Sequence, residues 1–356
     1  MQHTTITILV GLLCASRALA SDGIIHNDTV WRDTAGQEIW CNGGHVLHQG
    51  DRFYWVGYDT GPGRPWRINL YTSRNLADWE FENTLVRQEG KFAAMGWAGR
   101  PSLLQNRTTK KYVLLFEACS SQWPRNRTGF ATCDRIDGRY ELVQVQTPEL
   151  NRSEGDQAVY QNGDAAYLLC TLDKDIEGRK YLNQSLAIFR LADDYQSVAK
   201  KVFEGFDNVS GNKAVAPRDH TSREACYIAK GGDLYYWFSS GLLGWNSSAT
   251  MYATAKDLAG PWSELKLLRT DPPSKDSYNT QHDFIVTVAG KETTTYVYAG
   301  DRYSQWTSRG PGRNIFLPLV WENGEPVLRW HKDWKIDAES GRFVAVPQNE
   351  KGQDTR

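Results

Sequence analysis

An all-β chain folded as a five-bladed β-propeller is what the sequence predicts, on three observations. A strand-sized anchor recurs five times, as Leu70-Tyr71-Thr72-Ser73, Phe130-Ala131-Thr132, Ala187-Ile188-Phe189, Met251-Tyr252-Ala253-Thr254 and Ile315-Phe316-Leu317, at intervals of about 60 residues. Alternating aromatic and aliphatic residues precede the anchors, the period-two pattern of a half-buried strand. The i, i+3, i+4 apolar spacing of an amphipathic helix is nowhere sustained. A repeat of this length with about four short strands is the size of one blade, whereas a two-sheet sandwich gives no reason for a phrase to return five times.

In chain order, Arg52-Phe53-Tyr54-Trp55-Val56-Gly57 leads to the first anchor, and the polar turn Asn75-Leu76-Ala77-Asp78 then opens a new strand at Trp79. Lys111-Tyr112-Val113-Leu114-Leu115-Phe116 leads to the second anchor, followed by Asp137-Gly138-Arg139-Tyr140. Ala166-Tyr167-Leu168-Leu169 precedes the third, and Leu234-Tyr235-Tyr236-Trp237-Phe238 the fourth, with Asp257-Leu258-Ala259-Gly260-Pro261-Trp262 behind it. A polar turn between two such runs is a hairpin signature. Gly61-Pro62-Gly63 and Gly310-Pro311-Gly312 read as turns between strands, because no helix pattern follows to make a phosphate loop. Pairing of the chain ends would remove exposed sheet edges, so Trp31–Trp40 and Phe343–Val346 are expected close together.

The 356 residues carry 41 Lys+Arg and 42 Asp+Glu, a net charge of −1. That leaves no basic stripe for a nucleic-acid backbone. With 40% hydrophobic and 12% aromatic residues, among them 14 Trp and 17 Tyr, the chain can bury a large core. The apolar run Ile6–Leu13, ending in Ala18-Leu19-Ala20, is too short to span a bilayer and reads as a signal peptide over 1–20. Residues 21–356 then form a single propeller domain of a secreted, extracellular protein with no membrane segment. Seven N-x-S/T sequons, at Asn27, Asn106, Asn126, Asn151, Asn183, Asn208 and Asn246, predict N-glycans on surface loops.

Beyond the leader lie Cys41, Cys119, Cys133, Cys170 and Cys226, an odd number that leaves at least one without an intrachain partner. Cys119 and Cys133 are equidistant from Asn126, and a hairpin turning there would pair them in a disulfide. No C-x-x-C occurs, and His45-x-x-His48 on a strand points to opposite faces, so neither a metal nor another cofactor is expected. No G-x-S-x-G is present for a serine hydrolase.

A propeller gathers the first strand of every blade around an axial funnel, which makes the polar residues at those starts the site candidates. They are Asn42-Gly43-Gly44-His45, Gly99-Arg100-Pro101, Asp156-Gln157, Arg223-Glu224-Ala225 and Thr280-Gln281-His282-Asp283. With Asp33-Thr34-Ala35-Gly36, Phe53-Tyr54-Trp55, Asp78-Trp79, Gly244-Trp245, Ala259-Gly260-Pro261-Trp262-Ser263 and Asp301-Arg302, in this order and spacing, the chain resembles glycoside hydrolase family 43. The likeness is to its exo-β-1,3-galactanase-like branch.

That resemblance implies an inverting glycosidase that releases galactose from β-1,3-galactan or arabinogalactan. It implies Glu224 as the general acid, Asp156 as the carboxylate that orients it and raises its pKa, and Gln281 as the residue that positions the attacking water in place of a second carboxylate. It also places Asn42, Arg100 and Arg302 against the sugar. Tyr58, Trp245 and Trp306 are candidates for stacking on pyranose faces.

Two departures stand out: the branch has His where this chain has Asn42, and Glu where it has Gly99. Glu117 offers a compensation. Gly99 and Glu117 are symmetric about a turn near Thr108, so a regular hairpin sets them opposite each other on one face, and Glu117 would bring the carboxylate from the neighbouring strand. The alternatives are a hydrolase of arabinose- or xylose-containing glycans and a propeller that binds glycan without cleaving it.

Overall fold

The alternating patterns become strands throughout the computed structural model, which describes residues 22–347 apart from 60, 62, 122, 124–125, 150–151, 153, 177–178, 207–222 and 304–312. The expected leader, Trp306, the Gly310-Pro311-Gly312 turn and the sequons at Asn151 and Asn208 lie outside the described residues, as does the side chain of Asn183.

A short β1 (Ile25–His26) precedes the repeats. The first sheet is the antiparallel meander β2 (Asn42–Gln49), β3 (Arg52–Asp59), β4 (Arg67–Ser73) and β5 (Glu80–Arg87); the second is β6 (Trp97–Gln105), β7 (Tyr112–Cys119), β8 (Arg127–Cys133) and β9 (Glu141–Gln146). The third is β10 (Glu154–Asn162), β11 (Ala165–Ile176), β12 (Arg179–Leu191) and β13 (Val198–Gly205), and the fourth β14 (Arg223–Gly231), β15 (Leu234–Gly241), β16 (Met251–Ala255) and β17 (Lys266–Leu267). In the fifth, β18 (Arg269–Asp271) runs parallel to the edge of a meander formed by β19 (Gln281–Ala289), β20 (Thr294–Asp301), β21 (Asn314–Glu322) and β22 (Glu325–Arg329). β23 (Asp333–Ile336) and β24 (Phe343–Ala345) are the last strands of the described residues. No helix of the described residues is long and apolar enough to cross a membrane.

The fold is an all-β propeller in which β2, β6, β10, β14 and β19 pack side by side in a closed ring, β19 returning to β2. Among the described residues there are six sheets, not the five expected: β1, β23 and β24 form a three-stranded sheet of their own. A 60-residue repeat gives no sign of it, because it is assembled from the two ends of the chain.

The ends therefore meet, as expected, but Ile25 and His26 make the junction, paired with Trp334 and Asp333; Trp31–Trp40 forms no strand with β24. Trp31 instead packs its ring on Phe316 at 5.0 Å and Trp55 at 6.1 Å, and Trp55 in turn meets Trp79 at 5.1 Å. Trp55, Trp79 and Phe316 are at most 1% exposed, so this aromatic cluster joins the first sheet to the fifth.

Geometry departs from the expected surface sequons at two positions, and from the expected disulfide. Asn27 and Asn106 are 0% and 1% exposed, not surface residues. Asn27 donates through Nδ2 to the carbonyls of Phe316 and His331, both at 2.8 Å, and accepts from the Phe316 N–H at 3.1 Å. Asn106 donates to the Asp193 carbonyl at 2.7 Å. The Cys119–Cys133 disulfide is not formed. The β7–β8 register pairs Ala118 with Arg127 and Tyr112 with Cys133, so the hairpin turns several residues before Asn126. The two thiols consequently stand about seven strand positions apart, on the order of 20 Å.

Candidate active site

Each of the five inner strands breaks its register near its start: between Asn42 and His45, Gly99 and Ser102, Gly155 and Ala158, Glu224 and Tyr227, and His282 and Phe284. A β-bulge bends the strand and re-aims its side chains. Four of the bulges hold a residue at positive φ: Gly43 (55°), Arg100 (45°), Asp156 (22°) and Ala225 (48°). For non-glycine residues this conformation costs about 1–3 kcal/mol and concentrates at functional sites.

The bulged ends surround a cavity of about 310 Å³. The second sheet contributes Arg100, Glu117 and Cys119; the third Asp156; the fourth Glu224 with Gly244 and Trp245 beyond β15; the fifth Gln281. Tyr58, Trp97 and Tyr303 complete the wall. Rings run along one side, Tyr58 to Trp97 at 5.2 Å, Trp97 to Trp245 at 5.2 Å and Trp245 to Tyr303 at 4.7 Å.

Arg100 organises the charges. It is buried, and its Nε donates to Asp156 Oδ1 at 2.9 Å while its Nη1 donates to Asp283 Oδ1 at 2.7 Å. The other oxygen of Asp156 accepts from the Ala225 N–H at 3.0 Å, which ties Asp156 to the residue after Glu224. Glu224 is 4% exposed. Burial and then the Asp156 charge raise its proton affinity well above the usual carboxyl range, against the lowering influence of Arg100 and Arg223. Gln281 donates through Nε2 to Glu224 Oε1 at 2.9 Å and to the Gly244 carbonyl at 3.2 Å.

Glu117 stands directly across from Gly99 in the β6–β7 register, as the hairpin symmetry predicts, and lines the cavity. Its Oε1 accepts from Asn126 Nδ2 at 2.9 Å, and the Cys119 thiol lies 3.7 Å away. Burial, then the Asp156 charge, pushes the Glu117 carboxyl up to about 7.

Of the expected site residues, the cavity brings together Glu224, Asp156, Gln281, Glu117, Arg100, Trp245 and Tyr58. Asn42 and Arg302 are placed elsewhere. Asn42 is fully buried and donates to Asp301 Oδ1 at 3.3 Å, while Asp301 Oδ2 accepts from the Gly43 N–H at 2.5 Å. The start of the first inner strand is thus fastened to β20 and does not reach the cavity. Arg302 is 4% exposed, paired with Asp28 and donating to the Tyr278 carbonyl at 2.8 Å, so it braces the segment after β1. His45 and His48 do not converge: His45 accepts from the Leu103 N–H at 3.4 Å and His48 stacks on Phe53 at 4.2 Å.

The residues missed from sequence are Trp97, Tyr303 and Cys119. Trp97 and Cys119 lie two positions from Gly99 and Glu117 on the same strands, and period-two alternation gives them the same face. Tyr303 stands two residues after Asp301, where β20 has ended, so alternation does not reach it.

The sequence profile of glycosyl hydrolases family 43 matches residues 44–326. The chain belongs to this family. As a family 43 member it is a glycosidase acting on O-glycosyl bonds, and solved structures agree. The exo-β-1,3-galactanase 1,3Gal43A from Clostridium thermocellum is similar at 25% identity with a TM-score of 0.79, over 92% of this chain and 70% of that one. An exo-β-1,3-galactanase from Phanerochaete chrysosporium, solved with galactose, is similar at 25% identity and a TM-score of 0.76, over 91% and 71% of the two chains. A family 43 β-1,3-galactosidase reaches 26% identity and a TM-score of 0.73, over 87% of this chain and 63% of its own length. No curated protein is matched.

Proposed function

We propose that this family 43 glycosidase is a secreted, inverting, exo-acting β-1,3-galactosidase on galactan or arabinogalactan side chains. The observation that carries the reading is Glu224: a buried carboxyl, its proton affinity raised by burial and by the Asp156 charge, lining a cavity walled by aromatic rings. A carboxyl that keeps its proton near neutral pH can deliver it to a leaving glycosidic oxygen. Because Gln281 Nε2–H donates to Glu224 Oε1, that oxygen serves as acceptor and the acid proton resides on Oε2. Asp156 is fixed by Arg100 and the Ala225 N–H, which holds its charge in place beside Glu224.

Glu117 is proposed to accept from a sugar hydroxyl, and Trp245 and Tyr58 to cover apolar ring faces. The choice of galactose is supported by the galactanases and galactosidase similar to this chain, and secretion by the apolar run at Ile6–Leu13 with its Ala18-Leu19-Ala20 end.

The test is galactose release from β-1,3-galactan by wild type and Glu224→Gln, followed by NMR to identify the first-formed anomer. Release of the α-anomer by wild type alone supports the inverting galactosidase reading with Glu224 as its acid. Release of the β-anomer would overturn inversion, and no release would overturn the galactanase reading.

A further inference from the structure

Gly99 has no side chain, yet the place of one is filled. A Cβ built on Gly99 would sit 2.2 Å from Trp97 Nε1 and 2.5 Å from Cε2 and Cζ2 of the same ring. The indole therefore lies over the bare Cα of Gly99. Gly99 is the direct partner of Glu117 across β6–β7, and paired residues present their side chains on one face. The indole edge that occupies the residue-99 position thus lies beside the Glu117 side chain, at the cavity wall both residues share. Trp97 Nε1 is buried and has no hydrogen-bond acceptor, and a buried donor without an acceptor costs about 1–3 kcal/mol. Glu117 keeps one oxygen on Asn126, and its carboxyl oxygens have capacity for a further donor.

A donor lacking an acceptor beside a carboxyl oxygen that can accept is the complement of a hydroxyl, which accepts through oxygen and donates through hydrogen. We propose that Trp97 is a specificity-determining residue, its Nε1–H donating to the same sugar hydroxyl that donates to Glu117, and that a bare residue 99 is what admits the indole to this position. The inference rests on the galactose reading above and adds to it the residue pair that reads one hydroxyl. Trp97 also touches Tyr58 and Trp245 through its ring, and a phenylalanine keeps an aromatic ring at this place while losing the N–H donor.

The probe is galactose with its 2-, 3-, 4- and 6-deoxy analogues, titrated calorimetrically into wild type, Trp97→Phe and Glu117→Gln, with melting curves of each. Wild type is expected to lose affinity for one deoxy analogue in particular. Trp97→Phe should bind galactose about tenfold more weakly, roughly the worth of one hydrogen bond, and should no longer distinguish that same analogue from galactose; Glu117→Gln should lose discrimination at the same position. Gly99→Ala should weaken binding in the wild-type background and do so far less in Trp97→Ala, since the ring it displaces is then gone. Trp97→Phe binding the whole panel as wild type does, or losing discrimination at a different hydroxyl from Glu117→Gln, would overturn the assignment while leaving the galactose reading intact. A wild type that binds none of the panel would overturn both.

Discussion

Gln281 donates to Glu224 at 2.9 Å, so the residue expected to position water is bonded to the acid itself. Acid and base of an inverting glycosidase normally stand about 6.5–9.5 Å apart, and a direct hydrogen bond is far shorter. In this geometry Gln281 orients the carboxyl and selects the oxygen that carries its proton. Gln281→Ala is therefore expected to lower kcat about 100-fold, within the range of a misplaced general acid, with KM changed little. Steady-state kinetics on a β-1,3-linked galactobiose decides the matter. A raised KM with kcat intact would make Gln281 a binding residue only.

Asp156 raises the proton affinity of Glu224 second only to burial. With Glu224 as the proposed general acid, activity needs it protonated, so the rate is expected to fall as pH rises through its pKa. Removing the neighbouring charge favours ionisation and lowers that pKa. Asp156→Asn should accordingly move the alkaline limb of the kcat/KM profile to lower pH. An unmoved limb would show that the charge of Asp156 does not act on the acid.

Much of this was legible in the sequence because strand alternation and a 60-residue repeat are local signals. The anchors at Tyr71, Phe130, Ile188, Tyr252 and Ile315 all fall on strands β4, β8, β12, β16 and β21. Hairpin symmetry also set Glu117 opposite Gly99. The same symmetry failed for Cys119 and Cys133, because it assumed a turn centred on Asn126 where the chain turns earlier, and a shift of a few residues moves every partner. Asn42 and Arg302 were placed against the sugar by likeness alone; that Asp301 and Asp28 claim them depends on contacts between residues more than 250 positions apart. The sixth sheet is equally non-local.

Glu117 should make stability pH-dependent. Its carboxyl is pushed from an ordinary 4.5 up to about 7 in the fold. Below pH 4.5 folded and unfolded chains both hold the proton, so ionisation has no effect. Between 4.5 and 7 the unfolded chain releases it while the folded one keeps it, so stability falls as pH rises. The loss levels off above 7 at about 3 kcal/mol, taking about 1.4 kcal/mol per unit. Glu117→Gln cannot ionise, and urea unfolding at pH 4 and pH 8 should show the variant gaining on wild type at the higher pH by that order. Equal differences at both pH values would mean that Glu117 is not held protonated by its surroundings.

Asn27 carries a sequon but uses its amide as a clasp. The side chain satisfies the Phe316 N–H and the carbonyls of Phe316 and His331, joining the segment after β1 to β21 and to the start of the sixth sheet. Asn27→Ala leaves the Phe316 N–H and the His331 carbonyl without this partner, while the Phe316 carbonyl keeps the Trp334 Nε1–H at 2.9 Å; at about 1 kcal/mol or more each it should cost roughly 2 kcal/mol in urea unfolding. Loss of the sequon itself is a separate matter: Thr29→Ala abolishes it, removing only the hydrogen bond from Thr29 Oγ1 to the His26 carbonyl. If the amide is the clasp, Thr29→Ala will be mild, about 1 kcal/mol, and glycopeptide mapping of folded protein from a secreting host will find Asn27 and Asn106 bare. A glycan on Asn27 in active protein would be incompatible with the clasp, because the carbohydrate would have to occupy the space now filled by β21.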